Sequence, residues 1–438
     1  MKKIVLIGAG STVFGLGTIS DIFKSSILSG VTISLHDIDA KSLKRTKEIA
    51  EKFKNTYQGT FIIESTTDRA EALKGADFCI ISIEVGKRFE LWEQDWKIPL
   101  QYGFKQIYGE NGGPGGLFHS LRIIPPILEI CADINEICPE ALVINYSNPM
   151  QRVCHAVVTK YPHLKFIGLC HEIASMGRQL PALMETDISN ICFKAGGLNH
   201  LSILIEATYK NTNRSGYSII RKKFGDYYSQ VINQYDDYHK SKPGAERGVF
   251  RELFNNYNFL PITTDSHLGE YMPWAHSVAD HHAINEFYNN YKSHCLKTYG
   301  TDFYQNRFFD PRRPMYERVI PIIEGIVEHR SFEESAVNVP NNNFIDSVPN
   351  GIVVEVPGIV NKNGVTGVRL EKYPSSFGLL LNNQTGVIQL TTEAVLSQSK
   401  DNAFLALLAD PIVDNSTSAA SLLKTMLILQ EEHLGYLQ

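Results

Sequence analysis

The run Lys3 to Ile7 reads as a fully buried strand, and it stops at Gly8-Ala9-Gly10-Ser11-Thr12. Val13 to Phe23 has helical spacing, and Val31 to His36 reads as a second strand ending in Asp37-Ile38-Asp39. Strand, glycine turn, helix and acid-ended strand is the order of a Rossmann βαβ unit. Its glycines let the backbone approach a pyrophosphate, and its helix offers free N–H groups and positive potential. Gly8, Gly10, Ser11 and Thr12 are therefore the candidate phosphate-side contacts. Asp37 is placed to hold ribose hydroxyls, which favours NAD over NADP. Val13 stands where the third glycine of the fingerprint belongs, so the flanking strands carry the reading. Ala76 to Ile83 is a further strand. It brings Ser82 to the cofactor side and ends in Glu84-Val85-Gly86, a loop over the cofactor.

The bounds agree with a metabolic enzyme. The chain has 438 residues, 43% hydrophobic and 20% charged, with a formal net charge of −5. That balance argues against a nucleic-acid partner, which calls for a basic face. Seven cysteines, at 79, 131, 138, 154, 170, 192 and 295, suit reduced thiols in a cytoplasm better than a disulfide framework. No apolar run reaches the roughly 18 residues of a membrane helix. The apolar start breaks at Gly8-Ala9-Gly10 too early for a signal peptide.

Three motifs between Asn145 and His200 carry the chemistry. Asn145-Tyr146-Ser147-Asn148-Pro149-Met150 follows the apolar run Ala141 to Ile144, and Gly168-Leu169-Cys170-His171-Glu172 follows Phe166-Ile167. In open α/β sheets, ligands bind just beyond the carboxyl ends of the strands. Asn148, Cys170 and His171 fall there. Gly197-Leu198-Asn199-His200 closes the stretch, flanked by strand-like Ile191 to Ala195 and Leu201 to Ala207, and Cys170 with His200 reads as a metal pair. Gln106 to Gly116 is too glycine-rich for a helix or strand interior. It leads into a helix over Leu117 to Cys138, with Arg122 one turn in and a kink expected at Pro125-Pro126. Further on, Pro261 to Trp274 is a polar–aromatic cluster. His281-His282 reads as surface. Ile352 to Val356 is a strand, and Thr391 to Leu437 reads as a pair of helices.

Taken together these motifs resemble glycoside hydrolase family 4, the NAD- and metal-dependent glycosidases. The match rests on Gly8 to Ser11, Leu35-His36-Asp37-Ile38-Asp39, Gly113-Pro114-Gly115-Gly116, Asn145 to Met150, Cys170-His171-Glu172, Asn199-His200 and Val353-Val354-Glu355-Val356-Pro357. The family is an exception to the two-carboxylate scheme. The resemblance implies oxidation of the sugar at C3 by NAD, loss of the acidified C2 proton, departure of the glycosidic oxygen from C1, water addition and return of the hydride. It implies Mn²⁺ or another divalent ion on Cys170 and His200, and a tie of His171 and Glu110 to leaving-group protonation. Many relatives carry Asp where this chain has Glu110. Asn148 matches the residue bridging substrate and cofactor, and Arg122 and Asn199 are further candidates for the substrate. For the C2 base, His267 or Asp265 is favoured, with Tyr271 in reserve.

The expected fold is α/β: a Rossmann-type doubly wound parallel sheet over 1–195, then an α+β substrate- and metal-binding domain over 196–438, as in lactate and malate dehydrogenases. Cys170-His171 points away from 6-phosphosugars, where the family tends to have Cys-Asp. Cys-His-Glu is similar to the α-galacturonidase branch, and Glu270-Tyr271-Met272-Pro273-Trp274 to the α-galactosidase branch. An α-galacturonide is the favoured substrate, with Arg122, Lys242 or Arg247 as partners for its carboxylate; an α-galactoside, α-glucoside or α-glucuronide is the alternative. A homodimer or homotetramer, free of membrane and nucleic acid, is expected. The rival classes are a plain NAD-dependent 2-hydroxyacid dehydrogenase and a non-catalytic NAD sensor.

Overall fold

The computed structural model describes residues 2–11, 14–170, 172–235, 239–298, 301–313, 315 and 318–438. Thr12 and His171 lie outside the described residues. One 13-stranded sheet runs through the molecule. Along its main path the order is Leu260–Pro261, Leu201–Tyr209, Ile191–Leu198, Val353–Asn361, Phe332–Pro340, Lys165–Gly168, Leu142–Asn145, Phe78–Ile81, Lys3–Ile7, Thr32–His36 and Ile62–Thr66. The last six pair in parallel. Lys3–Ile7 sits between Phe78–Ile81 and Thr32–His36, so the chain reverses direction across the sheet there. That is the switch point at which such sheets take ligands.

The first strand shows why the sheet is buried on both faces. Its side chains alternate: Ile4 and Leu6 enter one core layer, Val5 and Ile7 the other. The helix Phe14–Lys24 covers the first layer, and Gly113–Ile137 and Met150–Lys160 cover the second. At Phe332–Pro340 the pairing turns antiparallel, through Asn338 opposite Gly168. The second half is thus antiparallel β with helices, built onto the same sheet. The division expected at 195/196 falls inside Ile191–Leu198, because the hydrogen bonding runs on without a break.

Two expectations change at element ends. The glycine segment was expected to stay a loop to Gly116, but the helix begins at Gly113. Gln106 fixes this start: its Oε1 accepts the Gly115 N–H at 2.9 Å, while its Nε2 donates to the Asp95 and Trp96 carbonyls at 2.6 and 2.7 Å. The helix continues through Pro125 and Pro126 to Ile137. The expected C-terminal pair is instead Thr385–Ser397, Lys400–Ala409, Ser416–Leu429 and Glu431–Leu434. Gln398 takes a left-handed conformation that ends the first. The Ser399 and Asn415 side chains cap the next two, accepting from the Asn402 and Ser418 N–H groups at 3.2 and 2.9 Å. These helices return to the first half of the chain and share its second core layer. No helix among the described residues is long and apolar enough to cross a membrane.

Candidate active site

Two large cavities meet beyond the carboxyl ends of the parallel strands. One, of 750 Å³, is walled by Gly8, Gly10, Ser11, Asp37, Ser82 and Asn148. Gly8 and Ala9 both donate to the His36 carbonyl at 3.0 Å, so the turn is pinned to the second strand. Asp37 Oδ2 accepts the Gly10 N–H at 2.8 Å, and its Oδ1 accepts the Asp39 N–H at 2.9 Å. Gly8 has φ +88°, and a Cβ there would collide with the Ser82 carbonyl oxygen. The cradle therefore needs glycine and suits the pyrophosphate of a dinucleotide.

The other cavity, of 560 Å³, contains Cys170, Glu172, His200 and His267; Arg88, Glu110 and Asn148 wall both. Asn148 is held at this boundary by its own loop. Asn145 Nδ2 donates to the Ser147 carbonyl at 2.9 Å, and the Ser147 hydroxyl bridges to the Ile83 N–H and carbonyl at 2.9 and 3.0 Å.

His200 stands in a two-residue hairpin with Asn199, between paired Leu198 and Leu201. Its φ of +66° is a left-handed conformation that costs a non-glycine residue about 1–2 kcal/mol. The turn aims Nε2 at 3.7 Å from Cys170 Sγ and 3.6 Å from Glu172 Oε1. The ligand atoms of Cys170, Glu172 and His200 lie within 4.8 Å of one another. A thiol, an imidazole and a carboxylate converging in this way fit a divalent transition ion. Burial, then the charges of Glu172 and Glu355, push the Cys170 thiol up. Burial pushes Glu172 up to about 7, with the Glu355 and Glu110 charges adding to it.

His267 stacks on His200, ring centroids 4.4 Å apart and planes at 14°. Its ring nitrogens lie 3.9 Å from Glu172 and Glu270 and 4.0 Å from Glu110. Burial opposes its charging, but Glu270, Glu172 and Glu110 outweigh it and lift the imidazole to about 10. Glu110 in turn takes Arg88 Nη2 at 3.3 Å.

Four candidates point elsewhere. Asp265 is fully buried, and its carboxylate accepts the Gly248, Phe250 and Asp280 N–H groups at 2.7, 3.1 and 3.2 Å. It anchors the start of the helix Gly248–Tyr257 and is not free to act as a base. Tyr271 donates to the Asn199 carbonyl at 3.4 Å and faces a smaller chamber behind the sugar cavity. Arg122 lies on Asp95, with contacts of 2.7 and 3.4 Å, and on Gln430 at 2.8 Å, so its charge is spent before it could meet a uronate. Asn199 turns its side chain onto Glu355 at 2.8 Å instead of toward the cavity. Of the other cations considered, Lys242 is exposed, whereas Arg247 is buried and walls the sugar cavity. Sequence reasoning missed Glu172 as a third ligand atom, although it closes the Cys-His-Glu run. It also missed Glu355, whose signal was a lone carboxylate inside the apolar strand Val353–Asn361.

The fold and the paired cavities define a doubly wound α/β protein whose nucleotide-type pocket adjoins a metal-type cluster. Residues 3–186 match the family 4 glycosyl hydrolase domain, and residues 195–413 match the family 4 glycosyl hydrolase C-terminal domain. The chain belongs to glycosyl hydrolase family 4 and is a glycosidase. It is 44% identical to an alpha-glucosidase of Erwinia rhapontici over 462 residues, covering 100% of this chain and 99% of that one. An alpha-galacturonidase of Thermoanaerobacter italicus is 30% identical over 429 residues, with 95% and 93% covered. A 6-phospho-alpha-glucosidase from gut microorganisms, solved in complex with NAD and Mn²⁺, superposes with a TM-score of 0.81 at 20% identity over 98% of each chain.

Proposed function

We propose that the chain hydrolyses a non-phosphorylated α-glycoside, an α-glucoside foremost. The observation that supports this most is that the Cys170–Glu172–His200 trio walls the sugar cavity, and this cavity shares Arg88, Glu110 and Asn148 with the nucleotide cavity. A sugar bound there has its ring between a nucleotide pocket and a cation site, as oxidation at C3 followed by elimination across C1–C2 demands. When bound, NAD supplies a reversible hydride acceptor and the ion supplies Lewis acidity. The chain's own residues do the rest. Cys170, Glu172 and His200 hold the ion. Asn148 orients the sugar against the cofactor. His267 is the one of the three candidate bases whose side chain enters the cavity; the surrounding carboxylates hold it protonated, and a cation on the adjacent cluster would favour the neutral imidazole that can take the proton at C2. Glu110, steadied by Arg88, serves the glycosidic oxygen. Residues 1–195 carry the nucleotide pocket and also supply Glu110, Asn148, Cys170 and Glu172, while residues 196–438 close the substrate and metal site with His200 and His267.

The choice of an α-glucoside rests on the full-length likeness to the Erwinia rhapontici alpha-glucosidase. A second reading, an α-galacturonide, is favoured by Arg247. Its guanidinium is buried over the Phe250 ring, Nη2 donates to Asn233 at 2.7 Å, and Nε has no hydrogen-bond partner. A panel of p-nitrophenyl α-glucoside, α-galactoside and α-galacturonide, assayed with NAD⁺, Mn²⁺ and a thiol reductant, separates the two. Turnover should be greatest on the glucoside and survive Arg247→Met. Turnover confined to the uronide, and abolished by Arg247→Met, establishes the second reading. Activity on none of them, with all cofactors present, refutes both.

A further inference from the structure

Behind the sugar cavity lies a chamber of about 10 Å³, room for one small species, walled by Asn111, Gln151, Arg152, Asn199, Tyr271 and Gln384 among others. Its polar walls are unusual. Arg152 and Gln384 are each 2% exposed and Gln151 is 7% exposed. Arg152 Nη1 and Nη2, Gln151 Nε2 and Gln384 Nε2 all lack a hydrogen-bond partner. The Gln151 amide cannot be turned round to relieve this, because its Oε1 already accepts the Asn199 N–H at 3.2 Å. Asp410 Oδ2, 3.7 Å from Arg152 Nη2, is too far to accept a hydrogen bond and is not part of the chamber wall. Two helices also begin here: Met150–Lys160 after Pro149, and Thr385–Ser397 after Gln384. Neither has a side-chain cap.

We propose that this chamber is a halide site, filled by chloride, that braces the metal-binding turn from behind. A single water accepts two hydrogen bonds and would leave two of the four buried donors bare. A monatomic anion has no fixed number of acceptor directions and can meet all four; the Arg152 charge and the two helix N-termini favour it against the Asp410 and Glu270 carboxylates that also act on Arg152. Phosphate, sulfate and carboxylates are too large for the space. The brace has a path to the chemistry. Gln151 holds the Asn199 backbone, Tyr271 holds the Asn199 carbonyl, and the Asn199 side chain supports Glu355 and the Cys170 sulfur. His200 is the next residue. Filling the chamber therefore stiffens the turn that presents His200, one of the three residues of the metal-type cluster.

The test begins with crystals grown in sodium bromide and measured at the bromine edge. A bromine peak among Arg152, Gln151 and Gln384 is expected. In solution, gluconate is exchanged for chloride or bromide at constant ionic strength. A saturable rise in Tm of about 1–2 °C is expected, together with roughly threefold tighter Mn²⁺ binding measured by the paramagnetic resonance of free Mn²⁺. Gln384→Leu removes one donor without stranding a charge, and should abolish both responses. Arg152→Met should do the same, but it leaves Asp410 buried alone and can fail to fold, so Gln384→Leu decides. The absence of a bromine peak overturns the proposal. So does a peak with no halide-specific change in Tm, which marks an adventitious ion only, or a halide response that persists in Gln384→Leu. The bromine map and the melting curves need no bound metal, so they stand apart from the assignment of the metal ligands.

Discussion

Replacing Asn199 with alanine should weaken the metal centre without touching a metal-binding atom. The Glu355 carboxylate is buried beneath the site and accepts from Asn199 Nδ2 at 2.8 Å, Ser202 Oγ at 2.9 Å and Asn338 Nδ2 at 3.3 Å. Burial nevertheless raises its pKa, so three donors do not make good the lost solvent. Asn199 supplies the shortest of these bonds, and hydrogen bonds to charged groups contribute about 1.5–3 kcal/mol. Taking about 2 kcal/mol, and an unfolding entropy near 0.9 kcal/mol/K for a chain of this length, Tm should fall by about 2 °C. The larger effect is on Mn²⁺. Loss of a group that orients a ligand typically weakens metal affinity about 10–100-fold, and here the same side chain steadies Cys170. Calorimetry of the metal-free protein and Mn²⁺ titration read the two numbers separately. Glu355→Gln supplies the control. With the charge removed, adding Asn199→Ala should cost less than it does in the wild type, by about 1 kcal/mol. If Asn199→Ala binds Mn²⁺ like the wild type, or if the two substitutions are simply additive, the coupling through Glu355 is not there.

Cys170→Ser and His200→Ala should each abolish turnover while the protein stays folded, since ligand atoms and not core volume are lost; full activity at unchanged Mn²⁺ demand would remove both from the metal site. NAD⁺ should bind more tightly than NADP⁺, because a 2′-phosphate meets the Asp37 carboxylate, and Asp37→Ala should narrow the gap; calorimetric preference of the wild type for NADP⁺ contradicts this. Hydrolysis in D₂O should place deuterium at C2 of the released sugar with no net build-up of NADH, and cleavage that persists after all NAD is stripped would eliminate the redox route. Burial holds His155 down at about 4. The unfolded chain therefore gains a proton near pH 6.5 that the folded chain refuses, and stability falls as pH drops from about 6.5 to 4, by about 3 kcal/mol at the lower limit. Denaturation curves of wild type and His155→Leu should diverge over that window and run parallel above it; parallel curves throughout would mean His155 is solvated.

The nucleotide half was legible because each of its signals is local. An apolar run, a glycine that must adopt φ +88° and an acid at a strand end are all adjacent in the chain. Cys170 and His200 were legible for the same reason, each standing at the end of a strand. What could not be read was the direction of side chains set by distant segments. Asp265 and His267 are two residues apart in one polar run. Only the packing of Gly248–Tyr257 decides that the first caps a helix and the second enters the cavity. Arg122 had the right charge, but its partners, Asp95 and Gln430, arrive from either side in the sequence. Glu172 closes the Cys-His-Glu run, and it joins the cluster with Cys170 only because the turn at His200 brings Nε2 within 3.6 Å.

The return of residues 385–434 to the first half of the molecule governs the order in which the protein can mature. The helices Gly113–Ile137 and Met150–Lys160 bury their apolar faces against Ala394, Val395, Ala403, Ala406, Leu422 and Met426. When residue 186 leaves the ribosome, those faces have nothing to pack on. At about 5–20 residues per second the missing helices are some 10–50 s away. For that interval the nascent nucleotide pocket is an open, sticky half-sandwich, a natural client for a chaperone. A stop codon just before Thr385 would keep the glycine turn, Asp37 and the Cys170–Glu172–His200 cluster, lose only Glu432 and His433 from the nucleotide cavity wall, and still yield an aggregating chain.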